Sequence, residues 1–366
     1  MKYSNIGGLA VMEGVMMRNG GDYAVAVRTV NKEVVVKKSQ YRSVARNAVI
    51  QKIPIVRGVF NFVDSLVLGM SSLMYSAEFF AEETPAELEE RLDGEEKKAR
   101  KKADRLRAQG KETQADEVMA RFEEKAKKER EENLKQAQEA ASSGEKKDDN
   151  SLLMGLTVVF SLALSIGLFM MLPYFLSRFL RTVTKSEALI SIAEACLRMA
   201  IFLGYMFLIS RMKEIQRTFE YHGAEHKCIN CIEHGLELNV ENVRKSSRQH
   251  KRCGTSFLLI VMIVSVIFFL FIRVSSPILR IVYRLLLIPV IAGVSFEFIR
   301  LAGKYDNKCV NILSKPGLAL QRLTTREPDD SQIEVGIASV EAVFDWRRYL
   351  NENFGAHYEL DEEKAQ

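Results

Sequence analysis

His250-Lys251-Arg252-Cys253-Gly254-Thr255-Ser256 runs without a break into FLLIVMIVSVIFFLFIRV (257–274). The apolar run Thr255–Val274 is as long as one bilayer crossing, at about 20 residues per crossing. It therefore reads as a membrane helix with an imidazole and a thiol at its foot. Working outward, Leu152–Leu176 is a second run of this kind. Ala188–Ile209 is a third, although it carries Glu194 and Arg198 four apart. Ile278–Phe298 is a fourth and carries Arg280, Arg284 and Glu297. Charge inside a span is costly, so such residues should face the bundle or sit near an end. Glu194 and Arg198 read as an i,i+4 ion pair facing other helices. Arg280 and Arg284, near one end, read as snorkelling residues. The expected fold is mainly α: a polytopic helical membrane protein of four spans with a small cytoplasmic α+β domain that includes an N-terminal β-hairpin region.

Charge sets the orientation. Segment 210–254 holds nine Lys/Arg, while the loops 177–187 and 274–277 carry few. Positive loops stay inside, which places 210–254 and both termini on the cytoplasmic face of a bacterial plasma membrane. The net charge of +5 is too small for a nucleic-acid partner without a basic patch, and the lysines and arginines gather beside the apolar runs instead. Five cysteines without a secretory pattern at Met1–Gly21 argue for reduced thiols.

The domains follow in order. Residues 1–47 alternate apolar runs with glycines, and Tyr23–Val30 followed by Glu33–Val36 reads as a hairpin across Asn31-Lys32. Within 48–83, Pro54–Phe80 is apolar but interrupted by Arg57 and Asp64 on one face. It reads as an amphipathic interfacial or re-entrant helix, with a true span as the alternative. Segment 84–150 carries 17 Lys/Arg against 19 Asp/Glu and a thin stripe through Leu88, Leu92, Ala99, Ala103, Leu106, Val118, Phe122 and Ala126. A solvated, loosely coiled helical hairpin with a Ser142-Ser143-Gly144 tether fits that pattern, and a protein partner could dock on it. Residues 151–209 and 255–299 hold the spans in pairs, with 210–254 the cytoplasmic loop between them. In the tail 300–366, Ser331-Gln332-Ile333-Glu334 reads as a capping box opening a helix of about five turns, with Ile333, Ile337, Val340 and Phe344 on its apolar face.

Chemistry concentrates in Tyr221-His222-Gly223-Ala224-Glu225-His226-Lys227, which holds two of the five histidines. On a helix His222 and His226 share a face, one turn apart, with Glu225 nearly beside them. This H-x-x-E-H order suits two metal ligands and a base. Three readings follow. In an open site, His222, His226 and one of His250 or Cys253 bind a divalent, zinc-like metal, water fills the fourth place, and Glu225 takes its proton. In a closed structural site, Cys228 and Cys231 join His250 and Cys253, leaving no room for water. In the third, the histidines hydrogen-bond without metal. Glu225 favours the open site, since a closed one has no use for a base. Glu13, between apolar neighbours, is a weaker candidate.

Gly7-Gly8, Ala10-Val11, Glu13-Gly14-Val15-Met16-Met17-Arg18, the 221–227 and 250–257 stretches, Arg300-Leu-Ala-Gly-Lys-Tyr305 and Thr324-Thr-Arg-Glu-Pro-Asp-Asp330 together resemble the bacterial YqhQ-like membrane family. The resemblance runs end to end except for 84–150, which looks like an enlarged insertion. It implies a membrane domain of unknown function, sometimes labelled a predicted metal-dependent enzyme. Leu9 departs from the family pattern, where glutamine is usual, and Cys228 and Cys231 fall outside it. The function expected is metal-dependent hydrolysis at the cytoplasmic membrane surface. The alternative is a non-enzymatic scaffold or assembly factor. Transport ranks last, since the spans lack paired broken helices.

Overall fold

The computed structural model describes residues 3–29, 31–43, 52–79, 85–108, 110–142, 149–272, 274, 276–304 and 308–360. The chain opens with strands β1 (Gly7–Val11), β2 (Gly14–Asn19), β3 (Asp22–Arg28) and β4 (Val34–Gln40), an antiparallel meander in the order β1-β2-β3-β4. The expected hairpin is the β3–β4 pair, with Arg28 opposite Val34 and Lys32 at positive φ in its turn. Helices follow: α1 (Val56–Glu78), α2 (Pro85–Ala108), α3 (Glu112–Ser142) and α4 (Asp149–Ile166). A π-helical turn, Gly167–Met171, joins α4 to α5 (Leu172–Arg178). Then come α6 (Glu187–Ile209), α7 (Lys213–Glu233), α8 (Val240–Lys245), α9 (Gly254–Leu270), α10 (Pro277–Lys304) and α11 (Lys308–Thr324). The chain closes with α12 (Asp330–Val343) and α13 (Trp346–Phe354).

Two compact units divide the chain: Met1–Ser76 with Leu162–Gln366, and Ala77–Ser161. In the second, α2 and α3 form the expected hairpin. Leu88, Leu92 and Ala126 are buried between them with Phe122 against them. Arg91–Glu129, Lys125–Glu95 and Arg130–Glu89 pair across the seam. These pairs are exposed to water and each adds little stability; the thin apolar seam holds the hairpin. The tether expected at Ser142-Ser143-Gly144 falls on 143–148, outside the described residues.

In the first unit the sheet lies between two helical layers. Gly8 of β1 faces Glu225 of α7, while Leu9, one residue on and on the other face, touches Gly69 of α1. Leu9, Met16, Val25 and Lys37 form one cross-strand row, and Lys37 sits over the Tyr75 ring of α1. The opposite face builds the main core. Ile6, Ala10, Val15 and Met17 pack there with Tyr221, Ile229 and Ile232 of α7, Ile333 and Val340 of α12, and Trp346 and Leu350 of α13. This is an α+β domain assembled from both ends of the chain and the 210–254 segment. Its α12 is capped by Asp329, whose side chain accepts from the Gln332 amide while Gln332 reaches back to the Asp329 amide. The capping box thus starts two residues before the Ser331–Glu334 frame. The helix is 14 residues long and breaks at Phe344, so the expected five-turn helix is two helices.

Among the described residues, four helical stretches are long and apolar enough to cross a membrane: Val56–Glu78, Gly155–Arg178, Glu187–Ile209 and Ile281–Ala302. Two of the sequence assignments shift. α9 stops at Leu270 after 17 residues, about 25 Å of helix. α10 begins at Pro277, so the expected Thr255–Val274 span is shorter than any of these four stretches. α1 meets the length criterion, yet its pattern is inverted. Asp64, Leu68, Ser72 and Ser76 are buried on one face, while Val63, Leu66, Val67, Met70, Leu73 and Met74 are exposed. Asp64 accepts from Tyr41 and Ser43, Arg57 pairs with Glu297 of α10, and the Met12 amide donates to Ser76.

Glu194 and Arg198 do form a buried pair, at 2.7 Å. Arg284 departs from the snorkelling expectation: it is 4 % exposed and pairs with the same carboxylate at 2.7 Å. With α10 beginning at Pro277, position 284 lies two turns inside the helix, too deep to reach the end, so a buried counter-ion is needed. The Arg280 side chain is outside the described residues. Removing one partner of a buried ionic cluster strands the others, so Glu194→Gln should cost about 3–5 kcal/mol. Thermal unfolding of the full chain in detergent measures this; a Tm within about a degree of wild type would show that the two arginines need no counter-charge.

Candidate metal centre

α7 carries the H-x-x-E-H stretch with His222, Glu225 and His226 on one face and Cys228 and Cys231 on the opposite face. Both histidines are oriented by backbone carbonyls. His222 Nδ1 donates to Thr324 O at 2.8 Å, and His226 Nδ1 donates to Arg248 O at 2.7 Å. A carbonyl only accepts, so each Nδ1 carries a proton and each Nε2 is turned toward the Cys253 side. His222 Nε2 lies 3.2 Å from Cys253 Sγ. His226 Nε2 is buried without a hydrogen-bond partner among the described residues. The ligand atoms of His222, His226 and Cys253 all lie within 4.8 Å of one another. An orphaned imidazole nitrogen beside a second nitrogen and a sulfur is the donor set a zinc-like ion takes.

The walls explain the orientation. Segment 324–326 crosses α7 so closely that a Cβ at Gly223 would lie 1.9 Å from Arg326 O. The Arg326 amide donates to Phe219 O at this crossing, which brings Thr324 O onto His222. The 244–249 loop is tied to α7 by Lys227, whose ammonium donates to Arg244 O and Ser246 O, and by Asn230, which donates to Ser247 O and Gln249 O. That loop supplies the Arg248 carbonyl. Cys253 is the N-cap of α9, with Thr255 N at 3.4 Å and Thr255 Oγ1 at 2.8 Å from its sulfur. A helix N-terminus favours a thiolate. Glu225 is buried 3.8 Å from His222 Nε2 and accepts from the Gly8 amide. Only glycine at position 8 leaves room, since a Cβ there would lie 2.7 Å from Glu225 Cγ.

Electrostatics follow the geometry. Burial pushes the Cys253 thiol up, but the His222 and His226 imidazoles outweigh it and hold it well below the ordinary thiol range. Burial pulls His222 down, yet the Cys253 sulfur and then Glu225 outweigh it and raise His222 to about 9. Burial raises Glu225. The group is a thiolate among imidazoles with a carboxyl of raised proton affinity beside it.

Other sequence candidates lie elsewhere. His250, the alternative third ligand, places Nε2 3.2 Å from Glu233 Oε2 and is not in the three-ligand cluster. Glu233 also accepts from Arg252 and from the Ser4 amide and hydroxyl. The closed Cys228/Cys231/His250/Cys253 set is not assembled among the described residues. The Cys228 sulfur packs against Gly336, and Cys231 donates to Glu237 O at 3.2 Å. Burial raises both thiols, Cys231 to about 11, so neither is a ready thiolate. Glu13 sits at positive φ in the β1–β2 turn, where Arg217 and Tyr221 bind its carboxylate. Sequence reasoning did not find Gln321, which clamps the His250 backbone and donates to Ser256 Oγ; a glutamine in an amphipathic helix gives no signal. Lys227, Thr324 and Arg326 stood within quoted motifs, but only the fold shows them to be walls.

The family model described as "Protein of unknown function (DUF1385)" matches residues 53–346. The uncharacterized protein YqhQ of Bacillus subtilis (strain 168) is 33% identical over 336 residues, covering 91% of this chain and 90% of that protein. The chain belongs to this YqhQ-like family. No solved structure matches it.

Acid stability tests the Glu233 anchor beside the centre. Burial lowers the His250 pKa from 6.5, and hydrogen bonding to His250 and the charge of Arg252 outweigh burial to lower Glu233 from 4.5. Both groups bind fewer protons folded than unfolded, so stability rises with pH. The Tm should therefore fall as pH drops below about 6.5 for His250, and again as pH falls through the folded pKa of Glu233, below 4.5. A Glu233→Gln variant should lose the lower of these steps; a Tm flat from pH 7 to pH 4 would contradict the buried pairing.

Proposed function

We propose that the chain is a metal-dependent hydrolase at the cytoplasmic surface of the membrane, with His222, His226 and Cys253 holding a divalent ion and Glu225 acting as base. The observation that carries this is the grouping of two imidazole nitrogens and the Cys253 sulfur within 4.8 Å of one another, with a carboxylate 3.8 Å from His222 Nε2. Three protein ligands leave a place for water, whose pKa a bound zinc-like ion brings to about 7. Glu225 takes up the water's proton, a role its raised proton affinity suits. The backbone carbonyls of Thr324 and Arg248 keep both rings in the ligating tautomer.

The membrane arrangement supports the same reading. The sheet, α7, α12 and α13 share one core, so the residues they carry belong on one side of a bilayer. The nine Lys/Arg of 210–254 support a cytoplasmic position for that side. Along α1, Arg57 pairs with Glu297 and Gly58 packs on Gly293 of α10, Phe62 meets Phe257 near the start of α9, Asp64 accepts from Tyr41, and Ser76 accepts from the Met12 amide beside the sheet. A helix held to one side along its length lies in the interface, with its Leu66–Met74 stripe against lipid. Crossing then falls to α4–α5, α6, α9 and α10. An impermeant maleimide should label Lys52→Cys and Glu78→Cys only in inverted vesicles; labelling of either in intact cells would make α1 a span.

Metal analysis of detergent-purified full chain tests the centre. Wild type should carry about one zinc-like ion per chain, a single site's worth. His222→Ala, His226→Ala and Cys253→Ser should each lose it. Glu225→Gln should keep the metal while hydrolysis falls by about a hundredfold or more. Metal-free wild-type protein with unchanged phenotypes in all four variants would leave the scaffold reading.

A further inference from the structure

Beside the centre, where α6 ends, lies a cavity of about 480 Å³ lined by Arg211, Arg248, Arg322 and Arg326, with Phe207 and Glu327 among its other walls. Three of these guanidiniums have no carboxylate partner among the described residues. Arg211 lies over the Phe207 ring, its charge 4.6 Å from the ring centre. Arg326 donates only to the Ser210 carbonyl, at 3.2 Å. Arg322 is exposed on α11. Arg248 is 3.5 Å from Glu327, but that carboxylate is already taken by Lys227 at 2.8 Å. The other acid in the wall, Glu220, accepts from Gln332. Four arginines line one cavity against two carboxylates, Glu220 and Glu327, and Glu327 is shared between Arg248 and Lys227, so positive charge is in excess. Like charges so gathered repel unless an anion sits between them.

The place of the cavity selects the anion. α6 is one of the helices apolar enough to cross a membrane, and it ends at Ile209. Leu203, Phe207 and Leu208 on its last two turns are exposed. Ser210 and Arg211 follow at the level where phosphate headgroups lie. Phe207 and Leu323 give the cavity an apolar side toward that helix. Guanidinium is the side chain best matched to a phosphodiester, through paired N–H donors, and basic pockets at helix ends bind anionic headgroups. We propose that this cavity holds the phosphate headgroup of an anionic glycerophospholipid. Arg322 and Arg211 bind the phosphate, Arg248 and Arg326 bound the cavity on the α7 side, and Phe207 with Leu323 takes the glycerol and first methylenes. The site does not rest on the metal reading, since none of these side chains is a metal ligand.

The test uses full chain in neutral detergent and native mass spectrometry with dihexanoyl phosphatidylglycerol, dihexanoyl phosphatidylcholine and inorganic phosphate as probes. Phosphatidylglycerol should bind and phosphatidylcholine should bind far more weakly. Arg211→Gln with Arg322→Gln should weaken phosphatidylglycerol binding by at least about tenfold, as loss of charged hydrogen bonds predicts. Arg244→Gln, whose partner is Asp330 outside the cavity, should not change it. Metal content and Tm are read in the same samples, so a misfolded variant is recognised, and Arg322→Gln alone then serves in its place. Equal binding of the two lipids, or phosphatidylglycerol binding that ignores both arginines, would overturn the proposal. Inorganic phosphate binding through these arginines without any lipid preference would overturn the lipid assignment.

Discussion

The Arg326 carbonyl occupies the space that any side chain at position 223 would need. The rest of the centre depends on that approach. With segment 324–326 lying directly on α7, the Thr324 carbonyl reaches His222 and fixes its tautomer. On the adjoining face Gly8 performs the same service for Glu225, letting β1 come within van der Waals distance of the carboxylate. A helix in the middle of the chain is thus gripped by backbone from both ends of the chain. Backbone held in a packed core moves little, so the two imidazoles and the carboxylate are set before any ligand arrives. Such preorganisation is what a catalytic group needs to act without reorganising at the moment of reaction.

The same logic governs the lipid-facing side. α1 buries Asp64, Ser72 and Ser76 and exposes Leu66, Val67 and Met70. In water this pattern costs free energy twice, since apolar area faces solvent at about 25 cal/mol per Å² and polar groups are desolvated. The buried polar groups are satisfied: Asp64 by Tyr41 and Ser43, Ser72 and Ser76 by carbonyls one turn back. Among the described residues the apolar stripe is left exposed, and the proposed interfacial placement is one that would remove its cost. Glu194 answers the inverse problem within the bundle, where one carboxylate serves Arg198 and Arg284.

What the sequence revealed and what it hid follow from which interactions have a sequence signature. Apolar length marked α1, α4–α5, α6, α9 and α10 but not α11, and Leu88, Leu92, Phe122 and Ala126 marked the seam of the charged hairpin correctly. The H-x-x-E-H spacing placed His222, Glu225 and His226 on one face. The choice between His250 and Cys253 had no such signature, because it turns on Glu233 capturing His250 through a buried pair seventeen positions away. Gly14 stands beside the β1–β2 turn, but the left-handed residue is Glu13, where turn statistics favour glycine or asparagine; Arg217 and Tyr221 hold it there. Asp329 displaced Ser331 as the α12 cap because its carboxylate reaches the Gln332 amide and Gln332 closes the box. Arg284 was misplaced because its counter-ion, Glu194, stands on another helix, and nothing in its own segment signals the pair.

Cys253 joins these two halves of the molecule. Its sulfur is a donor in the centre, and its backbone is the first residue before an apolar helix that packs along α10 and α11. The other two donors, His222 and His226, belong to α7, whose core is the α+β domain. The three donors therefore converge only while α9 and α7 keep their relative position. Gln321 of α11 helps fix that position by bonding the His250 backbone on one side and Ser256 of α9 on the other. Gly317 of the same helix packs against Ser256 so closely that a Cβ there would lie 2.7 Å from its hydroxyl. A cluster whose third donor sits at the foot of an apolar helix is complete only while α9 stays packed, so its geometry depends on that helix as well as on the α+β domain.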